Sequence, residues 1–259
     1  MDLPQLALLL GTGLIAGTVN AIAGGGSLVM FPALLGTGLL PVPANVTNSV
    51  AIFPGYVGSV AGSRTDLAEL AGQLGRRTLL MLAPTSVAGT ALGCALLLTA
   101  PPRAFELVVP FLVLGAGAVL GCSERLTRIV GRPHQLSPRR RALALHAMVG
   151  LGSVYGGYFG AALGVMLVAT LSLVLDTTLP RVLALKNAIS ALCGLVGLVV
   201  FALFGPVDWG AVAVLVPATV VGGYAGARLA RRLPPRVLRG LIVALATVVG
   251  VLLLIRALR

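Results

Sequence analysis

The sequence predicts an all-α polytopic membrane protein of two homologous repeats, inverted relative to one another, each with a broken or re-entrant first helix, about 8–10 membrane helices in total. Three observations predict it. First, 58% of the 259 residues are hydrophobic and only 10% charged, with a mean hydropathy of +1.03, whereas soluble domains carry roughly 25% charged residues. Second, apolar runs of about 20 residues recur from end to end, each able to cross a hydrocarbon core of ~30 Å as a helix. Third, the second half repeats landmarks of the first in the same order, the signature of a duplication.

The chain opens on Met1-Asp2-Leu3-Pro4, without a basic region or cleavage site, so the first apolar run is expected to be retained. Breaks at Pro, Gly and charge give elements at 4–22, 27–40, 44–62, 78–98 and 104–122, then 142–158, 160–175, 182–204, 209–227 and 237–255. Gly24-Gly25-Gly26 interrupts the opening stretch; adjacent glycines disfavour a continuous helix and leave backbone groups that lipid cannot satisfy. The piece after them, 27–40, would span only ~21 Å, a half-helix. The basic stretch Ser123 to Arg141, which includes His134, divides the chain into a first repeat at 1–122, a cytoplasmic linker at 123–141 and a second repeat at 142–259. The second repeat opens on a decayed form of the same glycine break, Tyr155-Gly156-Gly157-Tyr158-Phe159-Gly160.

Leu40-Pro41, Asn48, Gly55 and Gly58 recur as Leu179-Pro180, Asn187, Gly194 and Gly197 at an offset of 139, and Pro84, Gly89 and Gly93 recur as Pro217, Gly222 and Gly226 at an offset of 133. Short cytoplasmic loops collect Lys and Arg, so matched loops of parallel repeats agree in charge. Here they disagree: the loop from Arg64 to Arg77 holds three Arg and its counterpart at Pro206-Val207-Asp208 none, while Pro101-Pro102-Arg103 holds one and its counterpart from Arg228 to Arg239 five. An inverted arrangement puts 16 of the 19 basic residues inside, whereas eight simple crossings split them 11 to 8. The inverted arrangement follows from that contrast.

The net charge of +12 lies between apolar runs without interleaved aromatic residues, which argues against nucleic acid and for topology signals facing the lipid bilayer. Cys94, Cys122 and Cys193 show no metal-ligand spacing and read as small packing residues. There is no nucleotide loop, zinc motif or nucleophile elbow, so no enzyme, metal or cofactor is expected.

Broken helices at matched positions point to a transporter's central site, where the half-helix amino terminus offers N–H groups to a small anion. Candidate ligands around the first break are Asn20, Gly24, Gly25, Gly26 and Ser27; the alternative is that the glycines only allow close helix packing. Tyr155 and Tyr158 bring hydroxyls to the second break, for the pore or for ordinary interhelical bonds. Asn45, Thr47 and Asn48, with their repeat partners Lys186, Asn187 and Ser190, supply amide, hydroxyl and ammonium donors. A charge at membrane depth costs ~2.5–3.5 kcal/mol, so Lys186 either serves the site or snorkels to the interface. His146, Asp176, Asp208, Glu106 and Trp209 read as interfacial groups.

Gly17 through Gly24-Gly25-Gly26, Pro32, Ala44, Thr47, Gly55 and Gly58, followed by Ala184, Asn187, Val207-Asp208-Trp209 and Gly222 through Gly226-Ala227-Arg228-Leu229, resemble the TauE/SafE, or TSUP, family over nearly the whole chain. The resemblance implies a multi-pass permease of the bacterial inner membrane that exports sulfite, organosulfonates or related small sulfur anions, with protons as coupling ion. It is compatible with a homo-oligomer. The sequence departs from the family pattern at Phe159-Gly160-Ala161-Ala162 and at Lys186. The competing reading is a non-transporting membrane subunit or scaffold for a partner enzyme, which has no need of matched breaks.

Overall fold

The structure is a computed structural model that describes residues 2–129, 138–161 and 163–229, with positions 240, 243, 244, 247, 248, 251, 254 and 255. The described residues form ten helices: α1 (Leu3–Ala23), α2 (Ser27–Gly36), α3 (Pro41–Gly62), α4 (Arg64–Leu74), α5 (Arg76–Thr99), α6 (Pro102–Ile129), α7 (Pro138–Tyr158), α8 (Leu163–Val174), α9 (Leu179–Phe204) and α10 (Trp209–Leu229). Pro4, Pro41, Pro102, Pro138 and Pro180 stand in first turns, where the missing N–H forfeits no helical bond. The element expected at 237–255 and the linker residues Arg132 and His134 lie outside the described residues as continuous structure.

One difference from the sequence reading has a physical cause. The stretch after Arg64, read as a loop, is a helix, because α4 is short and amphipathic rather than a long apolar run. Among the described residues, three helices are long and apolar enough to cross a membrane, over Leu3–Asn20, Arg76–Thr99 and Pro180–Phe204. Ser27–Gly36 and Trp209–Ala225 are shorter apolar helices. α3 and α7 have the length, but Asn45, Thr47, Asn48 and Ser49 in one, and Arg139, Arg140, Arg141 and His146 in the other, lower their apolarity.

α1 and α2 form a hairpin. Gly26 lies against the backbone of Ala16, and Gln5 Nε2 donates to the Thr37 carbonyl at 3.3 Å, so the beginning of α1 and the end of α2 are side by side. α7 and α8 do the same: Gly156 meets Leu163, Gly152 meets Leu167, and Arg141 Nε donates to the Val174 carbonyl at 3.0 Å.

α1 runs parallel to α10, with Gly13 on Leu215 and Ala218 and Gly17 on Thr219 and Gly223. α5 runs parallel to α7, with Thr85 on His146, Gly89 on Gly150 and Gly93 on Tyr158. In both pairs a glycine admits the neighbouring backbone so closely that any Cβ would collide with it, the small-residue packing that membrane helices favour. Between these pairs, α3 and α9 cross antiparallel, with Asn187 near Ser63, Gly194 on Phe53 and Tyr56, and Gly205 on Val46. The core is closed by edge-on aromatic contacts, Phe31 to Phe159 at 5.3 Å and Phe105 to Phe159 at 6.1 Å, a favoured ring geometry.

Candidate functional site

Both hairpins turn on a left-handed glycine. α1 stops at Gly24, whose φ is 75° and whose N–H donates to the Asn20 carbonyl at 3.0 Å; α7 stops at Gly160, φ 71°, whose N–H donates to the Tyr155 carbonyl at 3.0 Å. Only glycine takes this conformation without a Cβ penalty. At Gly24 there is a second reason. A Cβ built there would lie 2.9 Å from the Gly164 Cα, and one built on Gly164 would lie 2.9 Å from the Gly24 Cα. The two turns therefore meet backbone to backbone, and the first-turn N–H groups of α2 at Gly26 and Ser27, which have no helical acceptor, open beside this junction.

Lys186, on α9, reaches the same junction. Its residue is 5% exposed, its Nζ lies 3.4 Å from a Cβ built on Gly24, and its Cδ lies 3.1 Å from one built on Gly164. The side chain therefore does not snorkel to a surface. No residue among those described gives its ammonium a hydrogen bond or an ion pair. Ser190 follows one helical turn later on the same face; it is fully buried and its Oγ has no partner.

Beyond Ser190 a cavity of about 30 Å³ is lined by Ser27, Ser49, Tyr56, Phe159, Ser190 and Cys193 among others, room for a water molecule or two. Asn20, Asn45 and Asn48 are buried, each with an unpartnered Oδ1. Asn45 Nδ2 donates to the Tyr158 carbonyl at 3.0 Å, which ties α3 to the end of α7. The arrangement combines one cation, several hydroxyls and a half-helix amino terminus, donors suited to oxyanion oxygens, while the unpartnered amide oxygens are acceptors.

Not every predicted residue joins it. Thr47 Oγ1 accepts the Asp208 N–H at 2.9 Å and so holds the turn between α9 and α10. Asn187 Nδ2 donates to Ser63 Oγ at 3.1 Å, away from the junction. The Tyr155 hydroxyl donates to the Ala161 carbonyl across the second break, and the Tyr158 ring packs on Phe105 at 5.6 Å. Conversely, sequence reasoning placed Ser49 in the Asn45 to Asn48 polar cluster, did not single out Tyr56 or Phe201, and took Cys193 for packing alone. Cys193 lines the cavity and lies within 3.4 Å of Ser86 Oγ and 3.5 Å of Ser153 Oγ. The available signal was spacing: Lys186, Ser190, Cys193, Gly194, Gly197 and Phe201 recur at three- and four-residue steps along one face of α9. No group of three or more His, Cys, Asp or Glu able to hold a metal occurs among the described residues.

The chain is similar in sequence to membrane transporter proteins. The family model described as "Sulfite exporter TauE/SafE" matches residues 9–253. A "Probable membrane transporter protein" of Haemophilus influenzae is 27% identical over 241 residues, 93% of this chain and 91% of the relative. "Probable membrane transporter protein YfcA" of Escherichia coli is 27% identical over 256 residues, 96% and 89% of the two chains, and "Probable membrane transporter protein ORF9" of a Sinorhizobium species is 26% identical over 255 residues, 96% and 92%. No solved structure matches the chain.

Proposed function

The chain belongs to the sulfite exporter TauE/SafE family, a family of multi-pass membrane transporters, and from that premise we propose that it is a secondary transporter for small sulfur-containing anions such as sulfite or organosulfonates. The observation that carries the site is Lys186, a buried cation without a counter-ion among the described residues, set where two helix breaks meet. An unpaired charge at this depth is retained against a cost of ~2.5–3.5 kcal/mol, and an anion is the partner that removes the cost. Ser27, Ser190, the Nδ2 groups of Asn20 and Asn48 and the amino terminus of α2 at Gly25 and Gly26 complete the oxyanion's shell, while Asn45, whose Nδ2 donates to the Tyr158 carbonyl, belongs to the frame. Thr47, Asn187, Tyr155 and Tyr158 hold the frame around it.

The proposed frame is a pair of inverted repeats joined by a basic linker on the cytoplasmic side of the inner membrane. Its support is the equivalence of the two hairpins, the parallel pairing of α1 with α10 and of α7 with α5, and the antiparallel crossing of α3 with its counterpart α9. A two-fold axis in the membrane plane reverses matched helices in this way, and rocking about it alternates access. Protons serve as the coupling ion in this reading.

Flux of sulfite and of a two-carbon sulfonate into proteoliposomes tests the site. Lys186→Ala combined with Asn48→Ala is expected to lower flux at least ~10-fold while raising or preserving thermal stability, since an uncompensated buried charge is removed. Full flux in that double variant sinks the assignment.

A further inference from the structure

On α3, Gly55, Gly58 and Gly62 face a cavity of about 580 Å³, whose walls also include Ser59, Ser63 and Asn187, with Asp66 at its rim. The glycines are not there for close packing. A Cβ built on Gly58 or Gly62 meets nothing within 4 Å, and one built on Gly55 meets only Asn20 Nδ2, at 3.8 Å. Such side chains would fit, and glycine instead keeps the passage wide. Its walls are mostly apolar, with Pro54, Leu183 and Val220 among them, but the hydroxyl, amide and carboxylate groups give water partners that hydrocarbon would leave unsatisfied. The inner end of the cavity, at Gly55, touches Asn20, one turn before the first helix break and with its Oδ1 unpartnered.

The counterparts of Gly55 and Gly58 at an offset of 139 are Gly194 and Gly197 on α9, and their surroundings are the opposite. A Cβ on Gly194 would lie 2.9 Å from the Phe53 ring and 3.1 Å from that of Tyr56; one on Gly197 would lie 3.7 Å from the Phe201 ring. Where α3 faces open space, α9 faces aromatic rings and the remaining cavity measures about 30 Å³. The lining extends to Ser63, Asp66 and Pro180, at the end of α3 that leads into the Arg64 to Arg77 segment, which the distribution of arginines assigns to the cytoplasm.

We infer that the 580 Å³ cavity is the cytoplasmic vestibule through which a hydrated oxyanion reaches Asn20 and Lys186, and that Phe53, Tyr56 and Phe201 are the closed gate on the opposite face. The inference rests on the transporter reading above, and adds to it the entry route, the gate and the state of the molecule. An exporter captures its cargo in this state. Opening the far side requires the three rings to leave Gly194 and Gly197 while the α3 glycines are covered.

Thiol accessibility tests it without any transport measurement. Cys122, the exposed cysteine, is replaced by Ser, and Gly58→Cys or Gly197→Cys is added; both sites have room for the new side chain. Membranes holding each variant are treated with an anionic, membrane-impermeant methanethiosulfonate from either side. Gly58→Cys is expected to react from the cytoplasmic side at least ~10-fold faster than Gly197→Cys reacts from either side, a rate ratio set by the free energy of uncovering the buried site. Adding Phe201→Ala to Gly197→Cys is expected to raise labelling from the outer side. Equal rates at the two positions overturn the inference, as does an unreactive thiol in a Gly58→Cys protein that elutes as a single folded species; Ser59→Cys repeats the measurement one residue along. Slowing of the Gly58→Cys reaction by sulfite is read separately. Labelling without such protection leaves the vestibule standing and removes sulfite as the cargo.

Discussion

Polar side chains in an apolar chain are easily found from sequence, but their partners are not. Thr47 and Asn48 are neighbours in one cluster of the sequence, yet Thr47 Oγ1 takes the Asp208 N–H while the Asn48 Oδ1 is buried without a partner. The difference is decided by a residue 161 positions away, at a range where sequence spacing carries no information. Thr47→Val should therefore cost about 0.5–1.5 kcal/mol of stability by removing a part-buried hydrogen bond and leave the KM for transport unchanged, a combination that thermal unfolding and initial-rate flux can check; a raised KM would return Thr47 to the binding site. Lys186 was legible as a charge out of place. That it lies against Gly24 and Gly164 rather than at an interface became clear only from the fold, because a lysine's stem is long enough for either.

At the level of the helix, glycine has three different meanings here that look alike in the sequence. Gly24 and Gly160 take left-handed backbone conformations, Gly17, Gly93, Gly157 and Gly222 admit a neighbouring backbone, and Gly58 and Gly62 border open space. Substitutions separate them. Gly157→Val would push a branched side chain into the Thr90 carbonyl on α5 and is expected to cost at least ~1–3 kcal/mol by overpacking, seen as loss of the monodisperse protein. Gly58→Ala should stabilise α3 by about 0.5–1 kcal/mol, since alanine suits a helix interior better than glycine, seen as a small rise in Tm. Helix α4 escaped sequence reading because its stability is tertiary. Gln73 donates to the Asp176 carbonyl at 2.9 Å and accepts from Thr177 and Arg181, and Arg181 pairs with Glu69 at 2.9 Å, so the helix is held by the loop before α9 and by the first turn of α9 rather than by an apolar run of its own.

For the whole molecule, the distribution of arginine makes a prediction about sidedness. A cysteine placed at Gly75 should react with an impermeant reagent only from the cytoplasm, and one at Pro101 or Pro206 only from outside; labelling of all three from one face would contradict the inverted arrangement. Membrane character, the duplication, the opposite charge of matched loops and the glycine break were legible in the sequence, because each depends on composition or on order along the chain. The hairpin form of α1 with α2 and of α7 with α8, the meeting of Gly24 with Gly164, the approach of Lys186 to that junction and the unequal surroundings of Gly55 and Gly194 were decided by the tertiary structure. The physical reason is that each is a contact between segments far apart in the chain, where what counts is the space that a missing side chain leaves and what fills it. The same two letters, glycine and glycine, stand at Gly55 and Gly194; an aromatic ring packed against one and open space beside the other make the difference.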